Sequence, residues 1–165
     1  VILTSDHGEA FGEHDMRNHG WDLYEHQIRV PLLVSVPGAV PTDMQTRVSL
    51  IDLAPTIVDL TGNVVPSVFR GVSLRAALAS STEPASRPIF TEMPTGPYNE
   101  HMRSFTLGDD KLIHHLDGDT FRLFDLMEDP GEVHDIWDAE PERATRLRRA
   151  YEIFMATEVE PRPAD

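Results

Sequence analysis

Two adjacent residues, Asp6 and His7, set an anionic oxygen donor beside an imidazole. That pair of donors suits one half of a divalent-metal site. It follows an apolar run, Val1-Ile2-Leu3, that ends in Thr4-Ser5. Apolar runs closed by polar residues and Gly read as buried strands. In open parallel sheets, chemistry gathers just past the carboxyl ends of strands, which is where Asp6 and His7 fall. Gly8 lets the backbone turn sharply behind them. Alone, Asp-His-Gly is weak and reads more readily as a polar turn after a strand. More groups follow in close order: Gly12-Glu13-His14, Asn18-His19-Gly20, Leu23-Tyr24-Glu25 and Ile28-Arg29-Val30-Pro31. A second apolar run, residues 32–36, closes with Pro37-Gly38.

This ordered series resembles the sulfatase family, part of the alkaline phosphatase-like superfamily of metal-dependent hydrolases. The resemblance continues through Leu50-Ile51-Asp52-Leu53-Ala54-Pro55-Thr56 and returns in Leu123-Phe124-Asp125-Leu126, Asp129-Pro130 and Glu132. It implies that Asp6 and His7 are the second pair of ligands to one divalent ion. Calcium is the family's expectation, with Mn, Mg or Zn as alternatives. It implies that His19, thirteen residues after Asp6, stands where relatives carry Lys or His to help the leaving oxygen depart. An imidazolium suits that role, because it stabilises anionic oxygen and donates a proton near neutral pH. Glu9, His14 and Arg29 are candidates to stand behind these groups and orient them.

In this family the nucleophile lies in an N-terminal Cys/Ser-x-Pro-x-Arg motif, converted to formylglycine in sulfatases, near the first pair of metal-binding Asp residues. This chain has no Cys and starts directly on an apolar run. It is therefore read as the C-terminal portion of a longer enzyme, with the missing N-terminal half of the same protein as its partner. Thr82-Glu83-Pro84-Ala85-Ser86-Arg87 echoes the motif, but its Arg is one place too far.

At 165 residues and 40% apolar content, the chain is long enough for a core. A net charge of −14 argues against a nucleic-acid surface and against adhesion to anionic lipid. No apolar run approaches the ~20 residues of a membrane span. The absence of Cys excludes disulfides here and leaves the compartment open.

The expected fold class is α/β. Residues 1–80 read as the C-terminal part of an alkaline phosphatase-like mixed or parallel sheet domain. Residues 81–165 read as a small antiparallel-sheet subdomain with a C-terminal helix. Residues 1–4 and 32–36 are expected as buried parallel strands of one sheet. With so few strands of that sheet, the chain alone should expose apolar surface. Asp52 is expected to cap a short helix holding Pro55 and ending before Gly62. Residues 74–78 suggest one more helical turn. Strands are expected at 89–91, 103–107, 111–116 and 120–126, with hairpin turns at Gly108-Asp109-Asp110 and Asp117-Gly118-Asp119. Residues 138–158 read as the closing helix, capped by Asp138, with Leu147, Tyr151 and Phe154 on one face packed against the small sheet. Arg143, Arg146 and Arg149 make its polar face. The tail from Pro161 should fray. His114-His115 is not read as a metal pair, since adjacent strand residues point to opposite faces. His26, His101 and His134 are expected on the surface.

The leading functional expectation is metal-dependent hydrolysis of a sulfate ester by the full-length enzyme, the chain alone being inactive. A phosphomonoester, phosphodiester or phosphonate ester hydrolase of the same superfamily is the enzymatic alternative. A non-catalytic, isolated subdomain is the alternative from another class.

Overall fold

The computed structural model describes residues 1–159. The tail from Pro161 lies outside them. Contacts divide the chain into two compact units. The first joins Val1–Asp6 to Val30–Ile89; the second joins His7–Arg29 to the described residues from Phe90 on. The chain is of the α/β class, with small antiparallel sheets and a C-terminal helix.

In the first unit, β1 (Ile2–Thr4) pairs with β4 (Leu32–Val34). The pairing is antiparallel, Leu3 facing Leu33. This corrects the parallel expectation. An apolar run reports that a strand wants cover, not which way its neighbour runs. The strands are also not buried here: Leu3 is 57% and Leu33 60% exposed. That agrees with the bare apolar surface expected of the chain alone.

α2 (Leu53–Leu60) follows a 3₁₀ turn at Leu50–Asp52. The cap is Ser49, in a capping box with Asp52, rather than Asp52 itself. Asp52 is fully buried and accepts from the Ser49 and Val72 backbone N–H groups at 2.9 and 2.7 Å. It also pairs with Arg87. A carboxylate can be buried only with such partners. Arg87, the residue that echoed a nucleophile motif, thus has a structural partner. Thr56 ties α2 to the start of α3 (Arg75–Ser80) by accepting from the Leu74 N–H at 2.9 Å.

In the second unit, β5 (Ile89–Met93), β6 (Met102–Leu107), β7 (Asp110–His115) and β8 (Thr120–Asp125) form a four-stranded sheet in sequence order. β6 to β8 are antiparallel hairpins, as the Gly and Asp turns predict. One face packs on α4 (Pro141–Phe154): Phe105, Leu112 and Leu123 meet Ala144, Leu147 and Tyr151. The helix starts later than expected. Glu140 is its N-cap and Pro141 its first residue, because a proline with no N–H suits a position whose N–H has no helical partner. Arg143 is not a solvent-facing charge. It binds Asp110 and Asp125 at the sheet end, and holds the Asp125 carboxyl below its usual range. His114 bonds Tyr151 and Asp119 while His115 pairs with Glu100, so the two imidazoles diverge as expected.

Candidate active site

Residues 7–29 form one loop, and short-range geometry sets its shape. β2 (Ala10–Phe11) and β3 (Arg17–Asn18) pair in antiparallel register, Ala10 facing Asn18. That register places the next residue out on each side, Glu9 and His19, next to one another. His19 Nδ1 lies 3.2 Å from Glu9 Oε2. Since a carboxylate only accepts, Nδ1 carries the proton.

His19 sits between two left-handed residues, Asn18 at φ 71° and Gly20 at φ 84°. Asn and Gly are the types that tolerate this conformation. Gln27, buried in α1 (Glu25–Ile28), braces both sides: it donates to the Asn18 carbonyl at 3.0 Å and accepts from the Gly20 N–H at 3.3 Å. Nothing in the sequence pattern pointed to Gln27. Its place, two residues after Leu23-Tyr24-Glu25, was the available signal.

His7 and His19 are neighbours, with ring centroids 4.2 Å apart and planes tilted by 34°. His7 Nδ1 lies 2.8 Å from the Gly8 carbonyl oxygen. Since a carbonyl oxygen only accepts, Nδ1 carries a proton toward it. Backbone bonding of this kind is how ligating imidazoles have their tautomer set. Asp6 is exposed and lies two residues past the end of β1. Among the described residues, no group of three or more His, Cys, Asp or Glu is placed to hold a metal ion. A carboxylate followed by an imidazole is the donor chemistry of two positions of such a site, not a full set.

The other candidates are placed differently. His14 stacks on Tyr24, centroids 3.8 Å apart, and donates through Nε2 to the Gly131 carbonyl at 3.0 Å. Arg29 is exposed, one residue past α1. Among the other histidines, His134 is exposed, as expected. His101 is half-buried against Glu92. His26 is largely buried, its side chain 11% exposed and paired with the buried Asp22 at 3.2 Å. The surface expectation fails there because Asp22, at i−4, turns the ring inward along α1.

Gly8 has a stricter reason to be glycine than a sharp turn. Its N–H donates to the Gln27 carbonyl at 2.7 Å, and a Cβ would lie 2.0 Å from the His26 carbonyl oxygen. Gly8→Ala is expected to destabilise the protein by about 1–3 kcal/mol, measured by urea unfolding. An unchanged midpoint would show that the loop yields freely.

The far end of the loop is tied to the sheet by charge. Lys111 Nζ, fully buried on β7, lies 3.1 Å from Glu25 Oε1 and 2.7 Å from Glu132 Oε1. Glu132 Oε2 accepts from the Glu25 N–H. Burial pushes the Glu132 carboxyl up, and Lys111 pulls partly against that. Tyr24 packs edge-on against Phe124 and accepts from Arg122. The separated motifs Leu23-Tyr24-Glu25, Leu123-Phe124 and Glu132 therefore meet in one cluster. Lys111, its centre, carried no sequence signal.

A family model described as N-sulphoglucosamine sulphohydrolase, C-terminal, matches residues 12–153. The chain belongs to the sulfatase family. Among curated relatives, arylsulfatase K of Xenopus laevis is 31% identical over 89% of this chain, and that of Mus musculus 37% over 86%. The chain spans 29% and 27% of their respective lengths. A solved structure in complex with its substrate D-glucosamine-2-N,6-O-disulfate is similar with a TM-score of 0.80 and 27% identity, over 94% of this chain and 33% of that one. A phosphonate monoester hydrolase from Silicibacter pomeroyi shares the fold at a TM-score of 0.76 and 24% identity, over 96% of this chain and 34% of that one.

Proposed function

We propose that this sulfatase-family chain works as the C-terminal part of a longer enzyme that hydrolyses a sulfate ester, with Asp6 and His7 as two ligands of one divalent ion, calcium by family, and His19 as the group that assists the leaving oxygen. The formylglycine nucleophile and the remaining ligands belong, in this reading, to the part of the enzyme N-terminal to Val1. Residues 1–80 are assigned to the catalytic α/β domain and 81–165 to the small subdomain. The observation that carries the proposal is the neighbouring pair of imidazoles, His7 and His19, each with its Nδ1 proton already committed.

The chain's own residues divide that work. His7 would offer an imidazole nitrogen and Asp6 a carboxylate. The ion they would hold supplies charge neutralisation at the sulfate oxygens. His19, when protonated, would give its Nε2 proton to the departing alkoxide. Gln27 keeps the peptide on both sides of His19 from shifting. A phosphonate or phosphate ester is the second reading, supported by the shared fold of the phosphonate monoester hydrolase.

In the complete enzyme, His19→Ala is expected to lower turnover of an alkyl sulfate by roughly 10²–10⁴, the usual contribution of a positioned acid. The loss should be much smaller for nitrophenyl sulfate, whose leaving group needs no proton. Folding should change little, since His19 is exposed. Equal losses on both esters would remove His19 from the acid role. Faster turnover of the matching phosphonate ester by the wild type would favour the second reading.

A further inference from the structure

We propose that Glu9 is a positioning residue for His19, fixing the imidazole with Nδ1 as donor so that Nε2 alone faces the ester; this rests on the leaving-group role assigned to His19 above. Glu9 and His19 are brought together by the Ala10–Asn18 register. Glu9 Oε2 lies 3.2 Å from His19 Nδ1. The other carboxylate oxygen, Oε1, is buried and has no hydrogen-bond partner among the described residues. A buried acceptor left unpaired is costly, so this carboxylate keeps only one directed bond, and that bond goes to the imidazole. The His7 ring also lies against His19, centroids 4.2 Å apart, and the backbone is braced by Gln27. The remaining freedom of His19 is rotation and flipping of its ring, and the bond to Glu9 restrains it.

A ring that flips turns Nε2 away from the ester, and one whose only proton sits on Nε2 has no Nδ1–H for Glu9 to hold and cannot pick up the second proton in a fixed orientation. A carboxylate bonded to Nδ1–H suppresses both states, so that the proton His19 takes up to act as an acid is carried on Nε2, the logic by which an acid orients a catalytic histidine in other hydrolases. A glutamine can do the same, because its side-chain oxygen also accepts from Nδ1–H.

The test compares Glu9→Ala and Glu9→Gln in the complete enzyme, with melting curves confirming that each folds. Glu9→Ala is expected to lower kcat on an alkyl sulfate roughly 10–100-fold, the usual effect of losing a group that orients an imidazole. KM should stay nearly unchanged and the loss on nitrophenyl sulfate should be smaller. Glu9→Gln should recover most of the lost rate. Nitrogen-15 chemical shifts of His19, recorded where the ring is neutral, give the second readout: the Nδ1–H tautomer should dominate in wild type and Glu9→Gln, and Nε2–H in Glu9→Ala. An unchanged tautomer in Glu9→Ala, or no rescue by Glu9→Gln, overturns the proposal. Equal losses for His19→Ala on both esters overturn the leaving-group role instead, and the tautomer then decides whether Glu9 holds the ring.

Discussion

Lys111→Ala is expected to destabilise the protein by about 3–5 kcal/mol, the cost of breaking a buried ion pair by removing one partner. For a chain of this size that is a fall in melting temperature on the order of 10 °C. Lys111 is fully buried and its ammonium meets two carboxylates, Glu25 and Glu132. Without it, Glu132, itself only 2% exposed, faces Glu25 with no cation between them. Burial already raises the Glu132 carboxyl, so the variant should relieve part of the cost by taking up a proton there. The sign of the pH dependence follows. A carboxyl whose folded-state pKa lies above its unfolded value binds more protons when folded. Its contribution is therefore lost as pH rises through that window. The Lys111→Ala deficit should be smaller in mild acid and larger at neutral pH. Adding Glu132→Gln to Lys111→Met should restore most of the stability, because the two fully buried charges are gone and the remaining carboxylate, Glu25, reaches solvent. Thermal melts of these variants across pH decide the matter. A Lys111→Ala protein that melts with the wild type at neutral pH would mean that the cluster is solvated and that the loop carrying His19 is held by other contacts.

The second large effect is Asp6→Ala in the complete enzyme. Turnover is expected to fall by roughly 10²–10³ or more, the scale on which one charge-stabilising group acts. The loss should be equal for alkyl and nitrophenyl sulfates, in contrast to His19→Ala. Bound metal, determined on the same samples by atomic emission, should fall with it. Stability should hardly change without added metal, since Asp6 is exposed beyond the end of β1 and surface substitutions usually lie within about 0.5 kcal/mol. A variant that keeps its full metal content while losing activity would take Asp6 out of the ligand set. One that keeps full activity would end the site assignment. The contrast between leaving-group-dependent loss at His19 and leaving-group-independent loss at Asp6 separates proton donation from charge neutralisation.

The sequence by itself determined the family, the α/β class, and the small antiparallel sheet and closing helix of the second unit, but not β2, β3 or α1. Strand alternation with Gly-Asp turns is a local signal, and the hairpins β6 to β8 follow it. The helical face of Leu147 and Tyr151 is local too, and it packs where periodicity placed it. The sequence also marked Asp6, His7 and His19 as candidates, because the order and spacing of the motifs around them resemble the family's series. Tertiary structure decided what holds them. The direction of β4 against β1 was decided by how residues 5–31 return, and an apolar run carries no information about direction. The cap of α2 fell to Ser49 because Asp52, three residues on, is occupied by Arg87 and the Val72 N–H from distant parts of the chain. His26 turned inward because Asp22 is buried beside it. Glu9 met His19 only through the register of a two-residue strand pair. Lys111, an ordinary charged residue in an alternating strand, became the fully buried centre of the cluster joining Glu25 to Glu132. Hydrophobic period and turn chemistry act over a few residues and are legible in one dimension. Burial of charge is compensated only by partners brought in from elsewhere in the chain, 86 residues away for Lys111 and Glu25.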